Sequence, residues 1–120
     1  MSEHPKTVLI IDDDENITRT FARILQKNGY QTDTAQTGAQ AIQKANANKY
    51  HVALIDVCLP DMNGAELLEK LDDHGESMVK IIITGFPTMA PKKGISADAY
   101  LLKPVKPQQL LATIEQKIKN

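Results

Sequence analysis

Four short, mainly apolar segments, each ending on a polar residue with chemical use, constrain this chain more than any other feature. Val8 to Ile11 stops at Asp12, Asp13 and Asp14. Val52 to Ile55 stops at Asp56, Val79 to Ile83 at Thr84, and Ala99 to Leu102 at Lys103 and Pro104. Apolar runs of this length, bounded by turn residues, read as buried strands. The segments between them carry helical spacing instead. Ile17, Phe21, Ile24 and Leu25 share one face of a first helix, and Gly29 stands where a glycine ends one. Tyr30 to Ala35 alternates weakly, as an edge strand does. Ala39, Ile42 and Ala45 give a short second helix, and Leu67, Leu68 and Leu71 a third. Pro107 fits the first turn of a final helix, with Leu110, Leu111, Ile114 and Ile118 facing inward. Strands alternating with helices predict an α/β domain built on a parallel sheet of five strands. The stretch from Gly85 to Asp98 is expected to hold one more helix, but Pro87, Pro91 and Gly94 leave little room for it.

Composition narrows the function. The chain has 120 residues, one domain's worth, with 14 basic and 15 acidic side chains and a net charge of -1. That balance gives no basic footprint for nucleic acid, and no Trp, two Phe and three Tyr supply few stacking platforms. The longest apolar runs are four residues, against the ~18 that a membrane span needs. Met1 to Thr7 has no apolar stretch of the kind a signal peptide carries. Cys58 is the only cysteine, so no internal disulfide can form, which suits a reducing, cytoplasmic compartment. His4, His51 and His74 have no metal-ligand spacing, and solvated or structural roles are expected for them.

In a parallel sheet the carboxyl ends of the strands share one edge, and ligands bind there where strand order reverses. If the first and third strands are neighbours, Asp12, Asp13 and Asp56 meet in one crevice. Three carboxylates so placed repel one another unless a cation joins them, and Mg²⁺ suits hard oxygen ligands. A run of aspartates after a strand also fits a solvated turn and a helix N-terminus, where negative charge meets the dipole. The coincidence with Asp56, Thr84 and Lys103 favours chemistry. A carboxylate is a nucleophile without a general base, so Asp56 can attack phosphorus and form an acyl phosphate. Lys103 then supplies a positive point charge to one phosphoryl oxygen and Thr84 a hydrogen bond to another.

With these features the chain resembles the receiver domains of response regulators, the phosphoacceptor modules of two-component signalling. The resemblance rests on VLIIDDD (8–14), ALIDVCLPDMNG (53–64), IIITG (81–85) and AYLLKP (99–104), in that order. It implies a flavodoxin-like doubly wound sheet of order 2-1-3-4-5, with a single domain over residues 1–120. It implies Asp56 as the phosphorylated residue, accepting from a sensor histidine kinase or histidine phosphotransfer protein. It implies Mg²⁺ held by Asp13, Asp56 and the backbone carbonyl of Cys58, with Asp12 acting through the metal's water. Thr84 and Tyr100 match the switch pair, Lys103 the phosphoryl contact, and Lys103-Pro104 a bond often cis in the family. Pro60 and Gly64 match the turn beside the site. Cys58 and Phe86 flank it, Phe86 as a brake on hydrolysis and Cys58 as a small buried residue. Thr84 and Lys103 are only 19 positions apart, fewer than usual, so the family's fourth helix is expected to be short, displaced or unwound.

Three other readings compete. An aspartate-nucleophile phosphatase of the haloacid-dehalogenase type would use Asp12 as nucleophile and Asp14 as acid/base. No acidic pair follows a later strand to complete it. A flavodoxin-like nucleotide or flavin carrier would want Ser, Thr or Gly where three acids stand. A phosphorylation-independent binding module would not need Lys103 and the acidic set. The expected output is protein contact, by a stand-alone receiver or one cut from a longer chain, with an unknown output partner and neither nucleic acid nor membrane bound directly.

Overall fold

The computed structural model describes residues 5–72, 78–85 and 97–119. Five strands, β1 (Thr7–Ile11), β2 (Gln31–Ala35), β3 (Val52–Asp56), β4 (Val79–Thr84) and β5 (Ala99–Leu102), form one parallel sheet in the order β2-β1-β3-β4-β5. Four helices accompany them among the described residues: α1 (Glu15–Lys27), α2 (Gly38–Ala47), α3 (Gly64–Asp72) and α4 (Pro107–Lys119). The short helix expected between Gly85 and Asp98, with Pro87, Pro91, Gly94 and Phe86, falls mostly outside the described residues, as do His4 and His74.

The sheet is covered on both faces because its inner strands β1, β3 and β4 are apolar over most of their length, while edge strand β2 (QTDTA) is largely polar. Val8 and Ile10, Val52 and Leu54, and Ile81 and Ile83 turn toward Phe21 and Leu25 of α1 and Leu110 and Ile114 of α4. Leu9 and Ile11, Ala53 and Ile55, and Ile82 turn toward Ala41 of α2 and Leu67, Leu68 and Leu71 of α3. The period-two alternation of side chains therefore divides a continuous apolar run between two cores.

The helix ends follow local chemistry. Asp14 caps α1, its Oδ1 accepting from Asn16 N–H at 2.9 Å. At the other end Gly29 has φ +91°, a left-handed conformation that glycine adopts without strain. Gly29 N–H donates to the Gln26 carbonyl and Tyr30 N–H to that of Leu25, the paired bonds of a Schellman cap. Tyr30 is thus spent on closing α1, and β2 begins at Gln31, one residue later than its alternation indicates. In α2 the inward residue is Ala41. Ile42 and Ala45 are half-buried against the same core, while Ala39 is exposed rather than inward. Ala39 sits two positions ahead of Ala41, about 200° round the helix from it, while Gly38 in the same turn is buried.

His51 has a structural place. Its Nδ1 accepts the Thr7 backbone N–H at 3.0 Å, and its own N–H and carbonyl continue the ladder to Thr7 and Val79. Nδ1 accepts only while the ring is neutral. Burial, and then the charge of Lys6, hold the imidazole below its usual 6.5. The unfolded chain therefore takes up this proton before the native one does. The stabilisation is complete above about pH 6.5 and is lost as pH falls through the native value. His51 is exposed, so solvent screens the effect, and urea unfolding should show a loss of at most about 0.5 kcal/mol over that range. His51→Asn keeps an acceptor but does not titrate, so its stability should stay flat there. A parent equally flat would exclude the effect.

Candidate functional site

Register brings the strand ends together. Ile11 pairs with Ile55, so the residues that follow, Asp12 and Asp56, lie level on adjacent strands. Thr84 ends β4 opposite Leu102, which carries Lys103 to the same edge. Lys103 N–H donates to the Thr84 carbonyl at 2.8 Å, fastening the end of β5 to that of β4.

Carboxylate oxygens of Asp12, Asp13 and Asp56 all lie within 4.8 Å of one another. Asp12 and Asp56 are buried and Asp13 is exposed. Among the described residues one cation answers them: Lys103 Nζ is 3.2 Å from Asp12 Oδ2 and 3.7 Å from Asp56 Oδ1. The side chains of Asp12 and Asp56 are only 5% and 8% exposed, against 27% for Lys103. The ammonium therefore bridges two carboxylates that have little water. Asp12 Oδ1 also accepts Asp14 N–H at 2.9 Å, and Asp56 Oδ1 the N–H of Cys58 at 3.3 Å.

Burial pushes the Asp56 carboxyl above its ordinary range, and Asp12 and then Asp13 push the same way. Lys103 and the Cys58 N–H pull it back only in part. Burial alone would lower Lys103, but Asp12, Asp56, the hydrogen bond to Asp12 and Asp13 together raise it, so it stays an ammonium. The site is short of positive charge. Its donor set is all carboxylate oxygen, the set that a hard divalent cation such as Mg²⁺ takes.

The sequence-predicted residues divide as follows. Asp12, Asp13, Asp56 and Lys103 meet. Thr84 is buried at the end of β4, and Tyr100 lies on β5 at 47% exposure. The two readings of the aspartate run are both realised, on different residues: Asp12 and Asp13 join the pocket, while Asp14 caps α1. That cap occupies the carboxylate that the haloacid-dehalogenase reading needs as acid/base. Lys103-Pro104 is cis, as the resemblance implies. Cys58 departs from expectation: it is exposed, not buried. β3 ends at Asp56, and beyond Val57 the chain turns outward into a loop closed by pairing of Cys58 with Asn63.

Three residues of this region went unread. Asn63 caps α3 through Glu66 N–H at 2.8 Å, a role its spacing from Glu66 signals. Asp61 and Met62 reach α2 from the loop after β3, and no local pattern announces that.

A doubly wound parallel sheet with three carboxylates and a lysine at its carboxyl edge defines a phosphoacceptor-type signalling module rather than a conventional enzyme. Residues 8–115 match the response regulator receiver domain family, and the chain belongs to it. A CheY-like receiver domain protein from Methanospirillum hungatei superposes with a TM-score of 0.90 at 36% identity, covering 97% of this chain and 95% of that one. CheY4 of Vibrio cholerae gives 0.85 at 28% identity, over 94% and 98%. Among curated relatives, the response regulator ArlR of Staphylococcus saprophyticus is 29% identical over 115 residues, 94% of this chain and 52% of that protein. MprA of a Mycobacterium is 29% identical over 90% of this chain and 48% of its own length. The chain thus spans about half the length of these curated relatives. No helix among the described residues is long and apolar enough to cross a membrane.

Proposed function

We propose that residues 1–120 act as one receiver domain that takes a phosphoryl group onto Asp56 and signals by protein contact. The observation that carries this is the buried Asp56 carboxylate, held in one pocket with Asp12, Asp13 and the Lys103 ammonium. The donor is a phosphohistidine on a sensor histidine kinase or a histidine phosphotransfer protein. An Asp56 oxygen forms the new bond to phosphorus, the phosphorus–nitrogen bond breaks, and the imidazole leaves with the electron pair. Asp13, Asp56 and the Cys58 carbonyl are the proposed Mg²⁺ ligands, with Asp12 bound through water. The cation's contribution is to offset charge on the phosphoryl oxygens.

The rest of the work falls to the chain. Lys103 draws one phosphoryl oxygen toward the pocket, and the Thr84 hydroxyl donates to another. Thr84 and Tyr100 carry the difference between the two states, since a switch needs contacts that differ between them. The compartment that suits this chemistry is the cytoplasm.

Incubation with acetyl phosphate, with Mg²⁺ or with a chelator, followed by intact mass measurement, tests the reading. A phosphoryl adduct that needs Mg²⁺ and maps to residue 56 after reductive trapping is expected. A folded protein that takes no adduct would point to the phosphorylation-independent binding module instead.

A further inference from the structure

The loop between β3 and α3 is pinned at both its base and its tip. At the base, Gly64 N–H donates to the Val57 carbonyl at 3.1 Å, beside the Cys58–Asn63 pairing. A Cβ on Gly64 would stand 2.9 Å from Val57 Cα, so only glycine lets the two backbones approach this closely. At the tip, Asp61 Oδ1 accepts Gly38 N–H at 2.8 Å and Oδ2 accepts Ala39 N–H at 2.9 Å. Met62 lies over Gly38 so closely that a Cβ there would sit 2.4 Å from its Cγ and Sδ.

The first turn of any helix presents N–H groups without partners inside the helix. In α2 the local chain answers one, through Thr37 Oγ1 to Gln40 N–H at 3.0 Å. Gly38 and Ala39 are answered from 23 and 22 positions away. Both bonds are charge-assisted, and the carboxylate meets the positive end of the helix dipole. These two N–H groups hold the Asp61 carboxyl below its ordinary range, so it is ionised whenever the protein is at neutral pH. The N-terminus of α2 is therefore an abutment against which the loop leans.

The same loop carries Cys58, whose peptide borders the Asp56 carboxylate through a long N–H bond of 3.3 Å. We propose that Asp61 is a positioning residue for the acidic pocket. By fastening the loop's tip to α2, it holds the Cys58 peptide where the cation and the phosphoryl group need it. This rests on the reading of Asp56 and its neighbours given under Proposed function. Asp61 touches neither ligand; its effect passes through the backbone between residues 58 and 61.

Three variants separate positioning from simple capping. Asp61→Ala removes both acceptors, Asp61→Asn keeps one oxygen, and Thr37→Ala weakens the start of α2 from within. Calorimetric titration with Mg²⁺ should show binding about tenfold weaker in Asp61→Ala, the size seen when groups supporting a ligand are lost. The Mg²⁺ needed for half-maximal phosphorylation by acetyl phosphate should rise by the same factor, with the maximal extent unchanged. Without Mg²⁺, the Cys58 and Gly64 amides should exchange faster. Asp61→Asn should recover part of each effect, and Thr37→Ala should lower stability alone. If Asp61→Ala binds Mg²⁺ as the parent does and loses only stability, Asp61 is a cap and nothing more. A parent that neither binds Mg²⁺ nor takes a phosphoryl group overturns the phosphoacceptor reading, and the positioning role with it.

Discussion

Replacing Asp56 with Asn should abolish the phosphoryl adduct and, in the metal-free protein, raise the unfolding free energy by about 1 kcal/mol at neutral pH. The loss follows from the nucleophile, since an amide oxygen does not form the acyl phosphate. The gain follows from the pocket. Burial first, and then Asp12, hold the Asp56 carboxyl above its unfolded value. A carboxylate shifted in that direction favours folding only when protonated, at pH below its unfolded pKa. That contribution is lost as pH rises through the native value, so at neutral pH the ionised group opposes folding. Asn keeps the shape and removes the charge. It forfeits a 3.7 Å contact with Lys103, which retains Asp12 at 3.2 Å. Urea unfolding of parent and variant, with and without Mg²⁺, measures the effect. The cation binds the native parent and should close or reverse the gap by mass action. Equal stability without Mg²⁺ would mean that Lys103 already offsets the whole cost.

Replacing Lys103 with Met should slow phosphorylation by acetyl phosphate about 100-fold, the cost of deleting one aimed positive or hydrogen-bonding group. It should also destabilise the metal-free protein by about 2 kcal/mol, below the full cost of orphaning a buried charge because Lys103 keeps some water. Met retains the length of the stem and deletes only the ammonium. Asp12 and Asp56, at 5% and 8% side-chain exposure, are then left facing one another. Without Lys103 the Asp56 carboxyl moves further up, so the destabilisation should be largest at neutral pH and should fade as pH falls into the carboxylate range. Mg²⁺ should restore much of the stability. It should not restore the rate, because the missing charge belongs to the phosphoryl group. A variant with parental rate at saturating Mg²⁺ would remove Lys103 from the chemistry.

The two replacements expose different halves of one balance. In the first a negative charge leaves a pocket that has too many. In the second the ammonium that bridges Asp12 and Asp56 leaves it. Opposite signs of stability change from substitutions on adjacent groups would be hard to obtain from packing alone.

What was legible in the sequence followed from period and position. Unbroken apolar runs such as Val52 to Ile55 specify strands buried on both faces, and the polar residue after each run lands at a common edge once the strands are parallel. The catalytic candidates were therefore readable as ends of hydrophobic segments. Helix ends were readable where the signal is local, as at Asp14 and Gly29. What escaped is non-local or depends on where a loop turns. Nothing near Asp61 in the chain indicates Gly38 and Ala39 as its partners. Cys58 lies two residues beyond a buried aspartate, in a loop that closes on Asn63 and leaves it exposed to solvent. The pairing of His51 with Thr7 likewise spans 44 positions.

The strand order has a consequence for how such a sheet is assembled. β1 is first in the chain and inner in the sheet; β2 joins one side of it and β3 the other, then β4 joins β3 and β5 joins β4. No strand has to be threaded between two that are already paired, so the sheet can be laid down in one pass as the chain emerges from the ribosome. On that schedule the aspartates arrive early, on β1 and β3, and Lys103 arrives last, behind β5. A nascent chain therefore carries a knot of negative charge that Lys103 does not answer until the final strand docks, and α4 then closes over the sheet.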